Sequence, residues 1–410
     1  MRHVIISVFA VMATASSALA VEPNGAMLRG LNAFDREMTE LMTRWEIPGG
    51  SLAVSDKGRL MMARGYGLAN PESNEQATPR TLFRLGSLSK PITAVAALLL
   101  MQDGKLDLDA PVLPLLGEDG PRPGAIRDPR VNDITVRQLL QHRMGLDREK
   151  SGDPVFMPGN AAAAKRQNAA MPATCVTLLR DGLERQLDFA PGERNAYSNV
   201  GYCMLGLIVA RTAGRPYEDF VRQRIFTPAH VGGFVLGRTT TKAHGEATYY
   251  DFPGSELYNA MPGVASGKVP APYGAYSLEM MDGYGNWLGA PAEFLRFMLT
   301  IDGQRGSALL SKDTVHKMLA RPDSETKAVY YGLGFSARAA TGGHNWWHSG
   351  SQSGATAFAV RTAEGYGWVA AFNMRPKDQG KFFDDLDRTL WRAAKAVPSW
   401  PEGDLFDQIR

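Results

Sequence analysis

The 410-residue chain has only two cysteines, Cys175 and Cys203. They form no Cys-x-x-Cys pair, which excludes zinc-ribbon and dithiol redox sites. His-Glu-x-x-His, a Gly-rich nucleotide fingerprint after a strand and a Walker sequence are all missing, so metalloprotease, dinucleotide and phosphate-cradling chemistry lose their basis. Gly-x-Ser-x-Gly is missing too, which excludes the strand-turn-helix nucleophile elbow. There is no run of Lys or Arg: 45 basic residues stand against 42 acidic ones, for a formal charge of +3, so nucleic acid is not an expected partner. Internal repeats and low-complexity tracts are absent, and beyond the first twenty residues no apolar stretch nears the about 20 residues that span a bilayer. No metal, cofactor or integral membrane span is therefore expected.

What is present is an ordinary folded composition, 44% hydrophobic and 21% charged. MRHVIISVFAVMATASSALA at 1–20 has a basic start, an apolar middle and Ala18-Leu19-Ala20 before Val21. It reads as a signal peptide cleaved near Ala20, placing the mature protein in the periplasm or outside the cell. In such an oxidising compartment Cys175 and Cys203 form either one disulfide or two buried thiols, and spacing alone leaves both open.

The length exceeds the about 250 to 300 residues at which one core stops growing, so two lobes are expected. Helical periodicity marks 31–45, 92–101, 136–141, 174–185, 200–213 and 381–396. Strand patterns mark 51–54 and 60–63 around an Asp56-Lys57-Gly58 turn, and return at 332–337, 345–348, 355–361 and 367–373. The expected fold class is α+β: an antiparallel sheet flanked by helices and built from both chain ends, with an inserted all-helical domain. The boundaries read as 21–86 and 233–398 for the α+β domain and 87–232 for the helical one. A site would lie in the cleft between them.

Candidate chemistry starts at Ser87-Leu88-Ser89-Lys90. A hydroxyl needs a base to become a nucleophile, and i, i+3 spacing on a helix brings an amine to a serine oxygen. Ser87 follows Gly86, opens an apolar helix and has Pro91 in the first turn, whereas Ser324-Glu325-Thr326-Lys327 has the same spelling in a polar loop. Ser89 reads as structural. Tyr197-Ser198-Asn199 sits between the turn 191–194 and an apolar helix, and offers a phenol for proton relay and a carboxamide for a substrate carbonyl. His348-Ser349-Gly350 ends an aromatic strand, and Gly350 permits close backbone approach. Tyr284-Gly285-Asn286 and Lys150-Ser151-Gly152 read as decoys, and His142 as a hydrogen-bonded structural histidine.

With PGGSLAV at 48–54, TLFRLGSLSKPITA at 81–94, ITVRQLLQHRMGL at 134–146, PGERNAYSNVGY at 191–202 and WHSG at 347–350, the chain resembles the serine β-lactamase and penicillin-binding protein superfamily. Within it the likeness is to the class C β-lactamase and DD-peptidase branch, which includes esterases. The resemblance implies a β-lactamase/transpeptidase-like fold and an acyl-enzyme. Ser87 resembles the nucleophile, Lys90 its base, Tyr197 the proton shuttle and Asn199 a substrate amide ligand. His348, Ser349, Gly350 and Ser351 fall at the substrate-binding third motif, with the backbone N–H groups of Ser87 and Ser351 as an oxyanion hole.

That third motif is His-Ser-Gly where class C β-lactamases have Lys-Thr-Gly, and Arg143-Met144 stands where many relatives have small hydroxyl residues. The reading is thus an exported serine hydrolase acting on an amide or ester of a small molecule or peptide. A class C-type β-lactamase is one alternative, and a catalytically silent peptide- or β-lactam-binding protein on the same fold is another. An imidazole at 348 titrating near pH 6.5 is expected to hold substrate carboxylates better as pH falls. The oligomeric state is not readable from the sequence.

Overall fold

The structure, a computed structural model, describes residues 22–408; the signal peptide expected at 1–20 lies outside the described residues. Strands β1 (Asn24–Met27), β2 (Gly49–Asp56), β3 (Arg59–Asn70) and β4 (Glu75–Gln76) come from the start of the chain. β5 (Val329–Tyr331), β6 (Ser336–Ala340), β7 (Gly343–Gln352), β8 (Ala355–Arg361) and β9 (Tyr366–Phe372) come from its end. They form one antiparallel sheet in the order β1-β3-β2-β9-β8-β7-β6-β5, with β4 on β3. The two ends of the chain meet where Gly50 pairs with Phe372 and Asp56 with Tyr366.

Local chemistry explains these elements. Asp56 pairs with Arg59 across Lys57 and Gly58, both at positive φ, as a two-residue type I′ hairpin turn requires. Side chains alternate faces along each strand. Leu52, Val54, Phe358, Val360, Trp368 and Phe372 enter one core, while Ala53, Ala357, Ala359, Val369 and Ala371 enter the other.

The helices used below are α1 (Asn32–Arg44), α2 (Ser89–Gln102), α3 (Val136–Leu140), α4 (Cys175–Leu183), α5 (Asn199–Ala213), α6 (Pro291–Ile301) and α7 (Gln379–Lys395). α1 and α7 cover the first face through Phe34, Met38, Leu41, Phe382, Leu386 and Leu390. α6 packs on the other face. α2 is buried from Ser89 to Leu100 and packs along α5, which is why its sequence is apolar all round. Among the described residues no strand lies between Arg84 and Val235.

The strand expected over 332–337 begins only at Ser336. Gly332 to Phe335 turn back on themselves instead, with the Gly332 N–H bonded to the Phe335 carbonyl and Gly334 at φ +96°. A β-carbon at Gly334 would lie 2.2 Å from the Ala94 methyl, so this glycine lets the β5–β6 turn touch α2.

Cys175 and Cys203 form a disulfide, Cα to Cα 5.8 Å, that ties the first turn of α4 to α5 one turn beyond Asn199. The bond closes a loop spanning 28 positions. Its reduction is expected to lower the unfolding free energy by about 3 to 4 kcal/mol through unfolded-chain entropy. Urea titrations with and without reductant measure this, and coincident curves would mean that the bond constrains nothing.

Candidate active site

Ser87 lies in a single 3₁₀ turn, Gly86–Leu88, that feeds into α2, and not on the α-helix itself. Gly86 has φ +52°, and this left-handed step turns the chain from the short strand Phe83–Arg84 into the helix. Lys90 still returns to the serine, with Nζ 3.2 Å from Ser87 Oγ. The same amine donates to Asn199 Oδ1 at 2.8 Å and to the Tyr284 carbonyl at 3.1 Å. Lys90 is fully buried, and desolvation holds it well below the ordinary lysine range; Asp153 opposes that shift and Arg148 adds to it. A neutral amine has two N–H groups and one lone pair. With the N–H groups on Asn199 and Tyr284, the lone pair is left for the Ser87 proton.

Tyr284-Gly285-Asn286 keeps its side chains out of the Tyr-x-Asn role, with Asn286 Nδ2 donating to Asp282, but its first backbone carbonyl orients Lys90. The sequence signal was hidden because a backbone acceptor has no residue signature. Lys150-Ser151-Gly152 stays apart, with Ser151 Oγ bonded to Asp188. Its neighbours do matter: Asn199 Nδ2 donates to Asp153 Oδ2 at 2.7 Å, and the Arg148 guanidinium lies 4.9 Å from the centre of the Tyr197 ring. Ser324, the alternative Ser-x-x-Lys serine, is exposed and receives a 2.5 Å bond from Arg143, which also pairs with Glu325.

Tyr197 precedes Ser198, whose hydroxyl caps α5 by accepting from the Gly201 N–H. Its ring centre is 4.8 Å from Lys90 Nζ. Burial raises the phenol's pKa, and its hydrogen bond with Ser87 works the other way, so the hydroxyl stays protonated near neutrality. Ser89, as expected, is structural: it accepts from the Trp287 N–H.

His348 stands on β7 with both ring nitrogens in use. Nδ1 donates to the Ser349 carbonyl at 2.7 Å, and Nε2 therefore accepts from the Tyr331 hydroxyl at 2.8 Å. Burial, helped by Lys90, lowers its pKa to about 3. This corrects the expectation of a titrating imidazole that meets a carboxylate: His348 is neutral and has no N–H to spare. The turnover ratio between carboxylate-bearing and neutral substrates is accordingly expected to be flat from about pH 6 to about pH 8. A ratio that rises toward the acid end would show His348 taking up a proton beside the substrate.

β7 continues past His348 to Gln352 and lies directly on the serine turn. A β-carbon on Gly86 would be 3.0 Å from the Ser351 nitrogen, and one on Gly350 would be 2.0 Å from the Leu85 carbonyl oxygen. The Gln379 carboxamide lies between Ser351 Oγ and the Arg375 guanidinium, and is satisfied when its nitrogen faces the serine and its oxygen the arginine.

Ser87, Tyr197, Asn199, His348, Ser349 and Ser351 all line one cavity of about 940 Å³. Phe156, Met157, Tyr258, Tyr276 and Phe383 supply an apolar wall. Among the described residues the charged side chains lining it are Arg148 and Arg375, and none of the lining residues is acidic. No group of three or more His, Cys, Asp or Glu with metal-binding geometry occurs among the described residues. No described helix is long and apolar enough to cross a membrane.

A protein-family model described as Beta-lactamase matches residues 34–390. Protein flp of Staphylococcus aureus strain N315 is 24% identical over 357 residues, covering 87% of this chain, which spans 66% of that protein. D-amino acid amidase from Ochrobactrum anthropi SV3 superposes with TM-score 0.68 at 24% identity over 90% of this chain and 99% of that one. D-alanine carboxypeptidase AmpC from Burkholderia cenocepacia does so with TM-score 0.66 at 17% identity over 89% and 98%. At these identities the structural likenesses establish the fold, a large antiparallel sheet with helices of the β-lactamase/transpeptidase type.

Proposed function

The chain belongs to the Beta-lactamase family, and from that premise we propose that it is an exported serine hydrolase that cleaves an amide or ester through an acyl-enzyme on Ser87. The observation that carries the reading is the buried Lys90 amine, 3.2 Å from Ser87 Oγ with its other partners fixed on Asn199 and Tyr284.

In this reading neutral Lys90 takes the Ser87 proton as Oγ attacks the substrate carbonyl. The backbone N–H groups of Ser87 and Ser351 receive the oxyanion. Tyr197, protonated at rest, hands its proton to the leaving nitrogen or oxygen and is resupplied from Lys90. Water then attacks the ester, its proton returns along the same path, and Ser87 is regenerated. Asn199 has one amide N–H beyond its bond to Asp153 and directs it to the acyl part of the substrate. Arg148 and Arg375, with no acid lining the cavity, favour a substrate that carries a carboxylate, as a D-Ala-D-Ala type peptide does. The leader read at 1–20 and the disulfide both fit export.

Labelling with a fluorophosphonate or a fluorescent penicillin tests the proposal. Ser87→Ala is expected to abolish labelling, and Ser324→Ala to leave it unchanged. Undiminished labelling of Ser87→Ala would remove Ser87 as nucleophile, and no labelling of the unmodified protein by either reagent would favour a silent binding protein.

A further inference from the structure

We propose that His142 is a positioning residue that aims Tyr197, a role that rests on the relay reading of Tyr197 above. His142 follows α3 and adopts φ +56°, a conformation uncommon outside glycine. In that conformation it grips both neighbours of Tyr197. Its carbonyl accepts from the Ala196 N–H at 2.8 Å, and its Nδ1 accepts from the Ser198 N–H at 3.1 Å. Between these two bonds the imidazole lies against the Tyr197 ring, centre to centre 4.1 Å.

The same imidazole also touches the sheet. Its centre is 4.6 Å from that of Tyr331 on β5, whose hydroxyl holds His348. It is also 4.9 Å from Tyr202 on α5. A backbone N–H can only donate, so Nδ1 is bare and the ring proton sits on Nε2, which is buried with no hydrogen-bond partner among the described residues. A left-handed backbone and an unsatisfied buried donor are both unfavourable. Surface tolerance does not explain them in a residue 1% exposed, whereas the grip on Tyr197 needs both. The left-handed step turns the carbonyl toward Ala196 while the side chain points at Ser198. The consequence for catalysis is geometric, because displacement of a reacting group by about 1 Å can cost about 10²-fold in rate.

Two variants separate the parts of the clamp. His142→Asn tolerates the left-handed backbone and keeps an acceptor near the Nδ1 position, but it loses the ring. His142→Leu keeps apolar bulk without the acceptor. On a chromogenic anilide, kcat is expected to fall about 10- to 100-fold in both, more in His142→Leu, with KM changed by less than about threefold. His230→Asn, at an exposed histidine with φ +54°, controls for the left-handed replacement and should be fully active.

The deciding measurement is a double-mutant cycle with Tyr197→Phe. A residue that acts through the phenol has little left to do once the hydroxyl is gone, so His142→Asn should cost less than about twofold in that background. An undiminished cost there, full activity of His142→Asn, or an effect confined to KM would overturn the proposal. If Tyr197→Phe is itself fully active, the relay reading fails first; if it is slow and the cycle is additive, only the clamp fails. Should His142→Leu not fold, the asparagine cycle decides alone.

Discussion

Lys90→Met is expected to lower kcat/KM by about 10³- to 10⁴-fold while leaving stability within about 1 to 2 kcal/mol of the parent. Methionine has a similar unbranched length for this fully buried position but no amine. In the proposed reading Ser87 then has no acceptor for its proton, and Tyr197 has no partner to resupply it. Stability responds to opposing effects. The Asn199 side-chain oxygen and the Tyr284 carbonyl each lose a donor, at about 1 to 3 kcal/mol apiece when buried. Against that, the protein no longer has to desolvate an amine, a burden visible in how far burial pulls Lys90 below its usual range. Acylation rates and chemical denaturation on the same preparation separate the two readouts. Activity within tenfold of the parent would mean that another group takes the Ser87 proton. A stability loss of several kcal/mol would mean that Lys90 is chiefly a structural hydrogen-bond hub.

Gly350→Ala is expected to cost at least about 10²-fold in kcat and about 1 to 3 kcal/mol in stability. The new methyl would sit 2.0 Å from the Leu85 carbonyl oxygen and 3.2 Å from the Leu88 nitrogen. Both obstacles are backbone atoms, so no flexible side chain can yield. Either β7 lifts or the serine turn moves, and the Ser87 and Ser351 N–H groups, one from each segment, separate. An oxyanion held by two donors loses one of them. Steady-state turnover with a denaturation curve checks this, and a fully active, stable Gly350→Ala would show that the contact between β7 and the serine turn is loose.

How much of this was legible depends on whether the signal was local. The hairpin at Asp56 to Arg59, the amphipathic α1 and the all-apolar α2 each announce themselves through periodicity or turn residues within a dozen positions. Ser87 and Lys90 were readable for the same reason, being one turn apart. The strand at 332–337 was misplaced because Gly332 and Gly334 interrupt an otherwise apolar stretch, and only contact with Ala94 shows what they are for. Asp153 and Tyr331 were overlooked, and Tyr284 was set aside, because each acts on a residue 17 to 194 positions away, beyond the reach of any local pattern. His348 was assigned an ordinary imidazole's behaviour, since neither Ser349's carbonyl nor Tyr331's hydroxyl can be inferred as its partner before the chain is folded. The disulfide, open on spacing alone, is settled by the packing of α4 on α5.

The contact of Gly86 with Ser351, together with the pairing of Gly50 to Phe372, carries a consequence in time. A ribosome delivers Ser87 and Lys90 long before it delivers β7, and the sheet cannot close until β9 has emerged. Pairings so distant along the chain form slowly and late. Throughout that interval the serine turn lacks the strand against which Gly86 and Leu85 pack. In the reading proposed above, the surroundings that make Ser87 a nucleophile are therefore complete only when the last strands have joined the sheet.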